Sequence, residues 1–245
     1  MLAQKIESIK EKIEVVILPE MFSTGFSMQP KLLAEKMDGE TIEWMKKIAT
    51  SKKIILTGSL IIEDDGKYYN RLIWMLPNGE NGIYDKRHLF AYADEHNHYS
   101  QGNKRLIAQV KGWKINLQVC YDLRFPLWAR QSPPPQKEEG RGLEYDVLIY
   151  VANWPERRST AWKTLLQARA IENQCYVVGV NRVGEDGNKI NHSGDSMIID
   201  PLGEILYQKA NVEDVFTHTL NKEKLNEVRE KFPFWKDADT FNITG

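Results

Sequence analysis

The chain has 245 residues, 42% of them hydrophobic, and 33 Lys and Arg against 34 Asp and Glu give a formal net charge of −1. That length suits one domain, which we take as residues 1–245, with a core large enough to need no staples. The charge balance excludes the strongly basic face that nucleic-acid binding asks for, and two cysteines are too few for a disulfide framework. No apolar run approaches the roughly 20 residues of a membrane span, and the charged N-terminus does not read as a signal peptide. The expectation is a cytoplasmic protein with neither nucleic acid nor membrane as partner.

The chain opens on a helix-like pattern over Leu2 to Lys12. Val15 to Leu18 is a continuous apolar run ending at Pro19-Glu20. Thr41 to Ser51 carries Ile42, Met45 and Ile48 at helical spacing. Ile54 to Ile62 reads as a strand broken at Thr57-Gly58-Ser59. Tyr68 to Leu76 alternates into the turn Pro77-Asn78-Gly79, and Gly82 to Asp85 returns as a hairpin. Trp113 to Cys120 alternates at period two, and residues 131–142 form an exposed Pro-rich loop. Val147 to Val151 and Tyr176 to Val180 have the continuous apolarity of strands covered on both faces. Between them, Ser159 to Asn173 reads as a helix with Ser159 as its N-cap. Met197 to Ile199, Pro201-Leu202-Gly203 and Glu204 to Tyr207 make a final hairpin. Leu220 to Lys231 is a charged surface helix. The alternation of strands and helices defines an α/β domain.

Three residues carry chemistry. Cys120 ends a strand, where a sharp turn would present its thiol beside free backbone N–H groups. Lys86 follows the strand Gly82 to Asp85, and Glu20 follows Val15 to Pro19. Each has an ordinary reading alone: a buried structural thiol, a solvated charge and a strand cap. Together they place a nucleophile, a cation and a carboxylate at the carboxyl ends of strands, where α/β sheets collect active sites. A carboxylate partly removed from water there is a better base near neutrality. No Cys–His arrangement is visible. His96 and His98 flank Asn97 without a set of metal ligands around them, and solvated loop histidines fit them better.

These segments resemble the nitrilase (carbon-nitrogen hydrolase) superfamily, and within it the omega-amidase branch. The likeness runs from about Ile13 to Phe241. It is carried by Leu18-Pro19-Glu20-Met21-Phe22, Tyr84-Asp85-Lys86-Arg87-His88 and Cys120-Tyr121-Asp122-Leu123-Arg124-Phe125-Pro126. Asn153-Trp154-Pro155, Arg169-Ala170-Ile171-Glu172-Asn173 and Gly194-Asp195-Ser196 add to it. The resemblance implies an α/β fold, an αββα four-layer sandwich that forms a homodimer. It implies Glu20 as general base, Lys86 as cationic stabiliser and Cys120 as nucleophile, with Glu95 matching a second glutamate near the site. Lys86 and the Tyr121 N–H would hold the oxyanion. Neither metal nor organic cofactor is called for.

The substrate class it implies is the omega-amide of a short 2-oxo dicarboxylic acid, such as 2-oxoglutaramate or 2-oxosuccinamate. Arg87 and Arg124 are candidates for its carboxylate by closeness to Lys86 and Cys120, and Asn153 and Trp154 are placed beside it. Arg124 has a structural alternative, paired with an acid under the turn. An N-carbamoyl or general aliphatic amide hydrolase would use the same triad, and a catalytically silent binding protein could share the fold. One departure stands out. Members usually begin with a strand before the first helix, and this sequence opens on the helix, so the sandwich is expected without that strand.

Overall fold

Three apolar clusters lie one above another in the computed structural model, which describes residues 2–131 and 143–243. They separate four layers: helix, sheet, sheet, helix. The strands, in chain order, are β1 (Val15–Ile17), β2 (Ile55–Asp64), β3 (Lys67–Met75), β4 (Asn81–Asp85), β5 (Leu106–Val110), β6 (Trp113–Val119), β7 (Val147–Ala152), β8 (Tyr176–Asn181), β9 (Val183–Glu185), β10 (Asn191–Ile199) and β11 (Ile205–Ala210). The helices are α1 (Leu2–Ser8), α2 (Pro30–Leu33), α3 (Glu40–Lys52), α4 (Glu95–His98), α5 (Pro126–Ala129), α6 (Ser159–Asn173) and α7 (Lys222–Lys231).

The first sheet runs β1-β2-β3-β4, with β1 parallel to β2 and the rest antiparallel. The second runs β11-β10-β8-β7-β6-β5, with β9 paired to β10. Its centre, β6-β7-β8, is parallel. All six residues of β7 are buried, which explains its uninterrupted apolar sequence.

Between the sheets, Leu72, Trp74 and Tyr84 meet Ile115, Leu117, Val119, Val147, Ile149 and Val151. On one outer side, α3 sets Ile42, Met45, Ile48 and Ala49 against Leu56, Leu60, Ile73 and Met75. On the other, α6 sets Trp162, Leu166 and Ala170 against Leu148, Tyr150, Val177 and Met197. Each large side chain buried this way contributes about 1.5–3 kcal/mol. Both long helices stop at a left-handed residue, Lys53 (φ 55) and Gln174 (φ 44), whose N–H closes the last turn.

Several sequence expectations are corrected. The strand expected to break at Thr57-Gly58-Ser59 is continuous, because Gly58 lets Leu18 and Phe22 lie directly on β2. Ser159 is the first helical residue rather than the cap, since Arg158 holds the N-cap position without a side-chain bond. The N-terminal helix stops at Ser8, short of Lys12. β5 and β9 carry too little periodicity to be read in advance. β10 begins at Asn191, well before Met197. The helix precedes β1, which is an edge strand of its sheet. Apart from Gln131, the expected loop at 131–142 lies outside the described residues.

Two glycines let the chain pass close to the future site. Gly58 is one. The other is Gly102, whose N–H donates to the Lys86 carbonyl at 3.0 Å. A Cβ on Gly102 would overlap the Asp85 carbonyl oxygen. Gly102→Ala is therefore expected to lower stability by about 1–3 kcal/mol. The thermal midpoint by circular dichroism should fall by at least about 2–4 °C. An unchanged midpoint would mean the Lys86 segment is free to move aside.

Candidate active site

The ends of four strands bring the site together. After β1, Leu18 N–H bonds the Thr57 carbonyl at 2.7 Å, and the chain then turns at Met21, which has a left-handed φ of 43°. That turn is latched to β2 by Met21 N–H to Ser59 Oγ (2.9 Å) and Phe22 N–H to the Ser59 carbonyl (3.2 Å). Glu20 is thereby pushed inward. Lys86 follows β4, and its N–H bonds the Asn70 carbonyl at 3.0 Å. Cys120 follows β6 and has φ 45°, a strained conformation for a side chain with a Cβ. The residues 120–124 continue as a tight 3-10 turn. Asn153 follows β7.

The charges meet in the interior. Glu20, Lys86 and Glu95 are all buried. Lys86 Nζ donates to Glu20 Oε1 at 3.2 Å and to Glu95 Oε1 and Oε2 at 3.0 and 2.8 Å. Asn70 Nδ2 bridges the same two carboxylates at 2.8 and 3.3 Å. The Phe90 N–H donates to Glu95 at 2.5 Å. Asn153 binds Glu20 twice: its N–H reaches Oε2 and its Nδ2 reaches the backbone carbonyl, both at 2.7 Å. Ions in such a place are tolerated only when paired and fully hydrogen-bonded.

Burial alone would lower the Lys86 pKa. The Glu20 and Glu95 carboxylates outweigh it, and the ammonium is held above its ordinary value. Burial pushes the Glu95 carboxyl up, against the pull of Lys86. Burial also pushes the Cys120 thiol well up, and the charge of Glu20 adds to this more than Lys86 subtracts. The resting nucleophile is thus an uncharged thiol beside a carboxylate.

Asp122 ties the nucleophile turn to the lysine segment. It accepts from Val119 N–H (3.0 Å), Tyr84 Oη (2.7 Å) and His88 N–H (2.9 Å), and pairs with His88 Nδ1 at 2.8 Å. Trp128 Nε1 completes the group by donating to Tyr84 Oη at 2.9 Å. His88 stacks on Phe125 with centroids 3.8 Å apart. This histidine supports the turn and is not among the residues lining the cavity.

Lys86 and Cys120 line a cavity of about 210 Å³, walled by Phe26, Phe90, Tyr92, Tyr121, Asn153 and Trp154. Arg124, Arg157 and Arg158 stand on its wall and rim. Arg124 was expected either at the substrate or paired with an acid under the turn. The structure places it at the cavity, over the Trp154 ring at 5.1 Å, while Asp122 is occupied by other donors. Arg87, expected beside the substrate, is outside. Its guanidinium lies over Trp128 and donates to the Gly102 carbonyl at 3.2 Å. Successive residues leave a strand end in opposite directions, so Lys86 facing in sends Arg87 out. Sequence reasoning missed Asn70, a polar residue within a strand with no motif around it. It also missed Arg157 and Arg158, whose only signal was their position directly after Asn153-Trp154-Pro155-Glu156. Among the described residues, no three His, Cys, Asp or Glu side chains group in a way that would hold a metal ion.

The profile of the family described as Carbon-nitrogen hydrolase matches residues 2–230. The chain belongs to the carbon-nitrogen hydrolase family. It is 44% identical to the Omega-amidase YafV of Escherichia coli K12, over 94% of this chain and 86% of that protein. It is 33% identical to a 2-oxoglutaramate amidase of Bacillus subtilis, over 95% of this chain and 87% of the relative. A crystal structure of a CN-hydrolase superfamily protein from Xanthomonas campestris, with an arsenic adduct in its active site, superposes with a TM-score of 0.95. It is 43% identical, and the match covers 99% of this chain and 91% of that one. No helix among the described residues is long and apolar enough to cross a membrane.

The raised thiol has a spectroscopic consequence. The ultraviolet thiolate absorbance that distinguishes the wild type from Cys120→Ala should show no step below pH 9, the ordinary cysteine value. A step near neutrality would reveal a preformed thiolate and contradict the arrangement described above.

Proposed function

We propose that the chain hydrolyses the omega-amide of a short 2-oxo dicarboxylic acid, 2-oxoglutaramate or 2-oxosuccinamate, releasing ammonia through a cysteine thioester. The observation that carries the reaction is that Cys120 and Lys86 line one cavity, with the buried Glu20 carboxylate behind them bonded to both. The substrate class draws on the two relatives named above and on the arginines that share the cavity with the nucleophile.

In this reading Glu20 accepts the Cys120 proton as sulfur bonds to the amide carbon. The carbonyl π electrons move to oxygen, and that oxyanion is held by the Lys86 ammonium and the Tyr121 N–H. Preorganised donors of this kind are worth about 3–4 kcal/mol each in the transition state. Glu20 then returns the proton to the departing nitrogen, the C–N bond breaks and ammonia leaves. Water, deprotonated by Glu20 and oriented with the help of Glu95, adds to the thioester. Its collapse releases the acid and restores the thiol. Asn153 aims the Glu20 carboxylate, and Trp154 forms the floor under Arg124. A homodimer belongs to the same reading, and the exposed side chain of Ile171, which packs on Gly203, and that of the adjoining Leu202 offer it apolar surface.

Cys120→Ala is expected to abolish ammonia release while keeping the melting profile. Iodoacetamide should alkylate Cys120 and spare the fully buried Cys175. Full turnover by the alanine variant would end the assignment. Lys86→Met should depress kcat far more than it raises KM, because the ammonium is needed as the oxyanion develops. A change in KM alone would reassign Lys86 to substrate binding. On substrates, a 2-oxo acid omega-amide should exceed an uncharged amide of equal length by at least about 100-fold in kcat/KM. Comparable values would leave a general amidase with the triad intact.

A further inference from the structure

Four arginines away from the cavity are paired with carboxylates. Arg71 is held by Asp64 and Asp85, Arg105 by Glu144, Arg169 by Glu172 and Arg229 by Asp146. The three at the cavity, Arg124, Arg157 and Arg158, have no carboxylate within ion-pair distance among the described residues. Asp186, an acid that lines the same cavity, accepts at its Oδ1 from the N–H groups of Asn188 and Ile190 at 2.8 and 2.9 Å. Three guanidinium groups against one carboxylate in the cavity lining are arranged for an anion that arrives with the ligand.

The three cations are not equivalent. Arg124 and Arg157 are exposed, whereas Arg158 is half-buried. The guanidinium of Arg158 lies on the Phe90 ring at 5.1 Å from its centroid. Stacking on an aromatic face leaves the in-plane N–H fork free for a carboxylate. Its backbone is fixed from both sides. The Arg158 N–H bonds the Pro155 carbonyl at 3.0 Å, and its own carbonyl accepts from Trp154 Nε1 at 2.8 Å. Trp154 in turn is pinned by Asn181 through its N–H (2.7 Å) and carbonyl (3.0 Å). Asn153, the preceding residue, binds Glu20. One short rigid path therefore connects the arginine to the catalytic base and sets the span between them. Burial, and repulsion from Arg157 and Arg124, lower the Arg158 pKa, a penalty that a bound anion would relieve.

We propose that Arg158 is the specificity-determining residue that binds the substrate's distal carboxylate, with the rigid Asn153–Arg158 segment measuring the distance from that carboxylate to the amide attacked by Cys120. This rests on the omega-amide reading above. Arg124 supplies charge at the rim and is secondary.

The test compares kcat/KM by ammonia release for 2-oxoglutaramate and for an uncharged amide of equal length, in the wild type, Arg158→Met, Arg158→Lys and Arg124→Met. The wild-type ratio judges the substrate class. A ratio near one removes that class and this inference with it. With a large wild-type ratio, Arg158→Met should cut the ratio by at least about 30-fold, mainly by raising KM for the anionic substrate, as expected when a site loses the group built for a substrate's polar end. Arg158→Lys keeps the charge but loses the fork, and should recover part of the ratio. Arg124→Met should change it by no more than about 5-fold, as for an exposed charge. An undiminished ratio in Arg158→Met overturns the proposal and leaves the omega-amide reading standing. So does equal loss on both substrates, or a collapse caused by Arg124→Met instead. If Arg158→Met does not fold, Arg158→Lys decides alone: a ratio reduced through KM supports the anchor, and a wild-type ratio counts against it.

Discussion

The buried Lys86 ammonium, held between the carboxylates of Glu20 and Glu95, is the interaction on which the rest of the site depends. Taking one cation and two anions out of water costs several kcal/mol per ion, and their attraction repays it only in good geometry. Every remaining lone pair therefore needs a donor. Asn70, the Phe90 N–H and the Asn153 N–H supply them. These groups come from the end of β1, the interior of β3, the segment after β4 and the end of β7. The cluster can form only when both sheets are already packed face to face. It is a product of the sandwich as much as a feature within it.

That dependence explains the placement of strain. Cys120 and Met21 each adopt a left-handed backbone, a conformation costing on the order of 1–3 kcal/mol for residues with a Cβ. Both are held by bonds to the neighbouring framework. Ser59 grips the turn at Met21, and Asp122 grips the turn at Cys120 while also holding Tyr84 and His88. The lysine segment and the nucleophile turn thus share one buried carboxylate that is not itself part of the chemistry. A charged thiolate would add a further anion to a cluster that already holds two carboxylates for one ammonium. The thiol stays neutral until an amide is at hand and Glu20 can take its proton.

The two ends of the cavity differ in kind. At the floor, two buried carboxylates share one ammonium and the hydrogen-bond donors around it. At the wall, guanidinium groups rest on Phe90 and Trp154 without carboxylate partners among the described residues. A ligand that is neutral at one end and anionic at the other fits this division, since the floor has no room for another anion and the wall has a use for one.

Much of this was legible in the sequence. The apolar run of β7 marked a strand buried on both faces, and the spacing of Ile42, Met45 and Ile48 marked the face of α3 that meets the first sheet. Glu20 and Cys120 were readable because each ends an apolar run, where a charged or reactive residue is conspicuous, and Lys86 because it follows a hairpin strand within a recognisable motif. Side-chain direction past a strand end was not readable: Arg87 and Lys86 are neighbours, and only the packed hairpin decides which faces inward. Asn70 looked like any polar residue in an alternating strand until β1 and the Glu95 segment closed over it. Arg158 was an ordinary arginine beside another until Phe90 arrived beneath it from a segment far away in the chain. Local pattern determined which elements form and which residues stand at their ends. The pairing of buried charges, and the aromatic seats of the arginines at the cavity, were decided by contacts between segments distant in sequence, which carry no local periodicity to read.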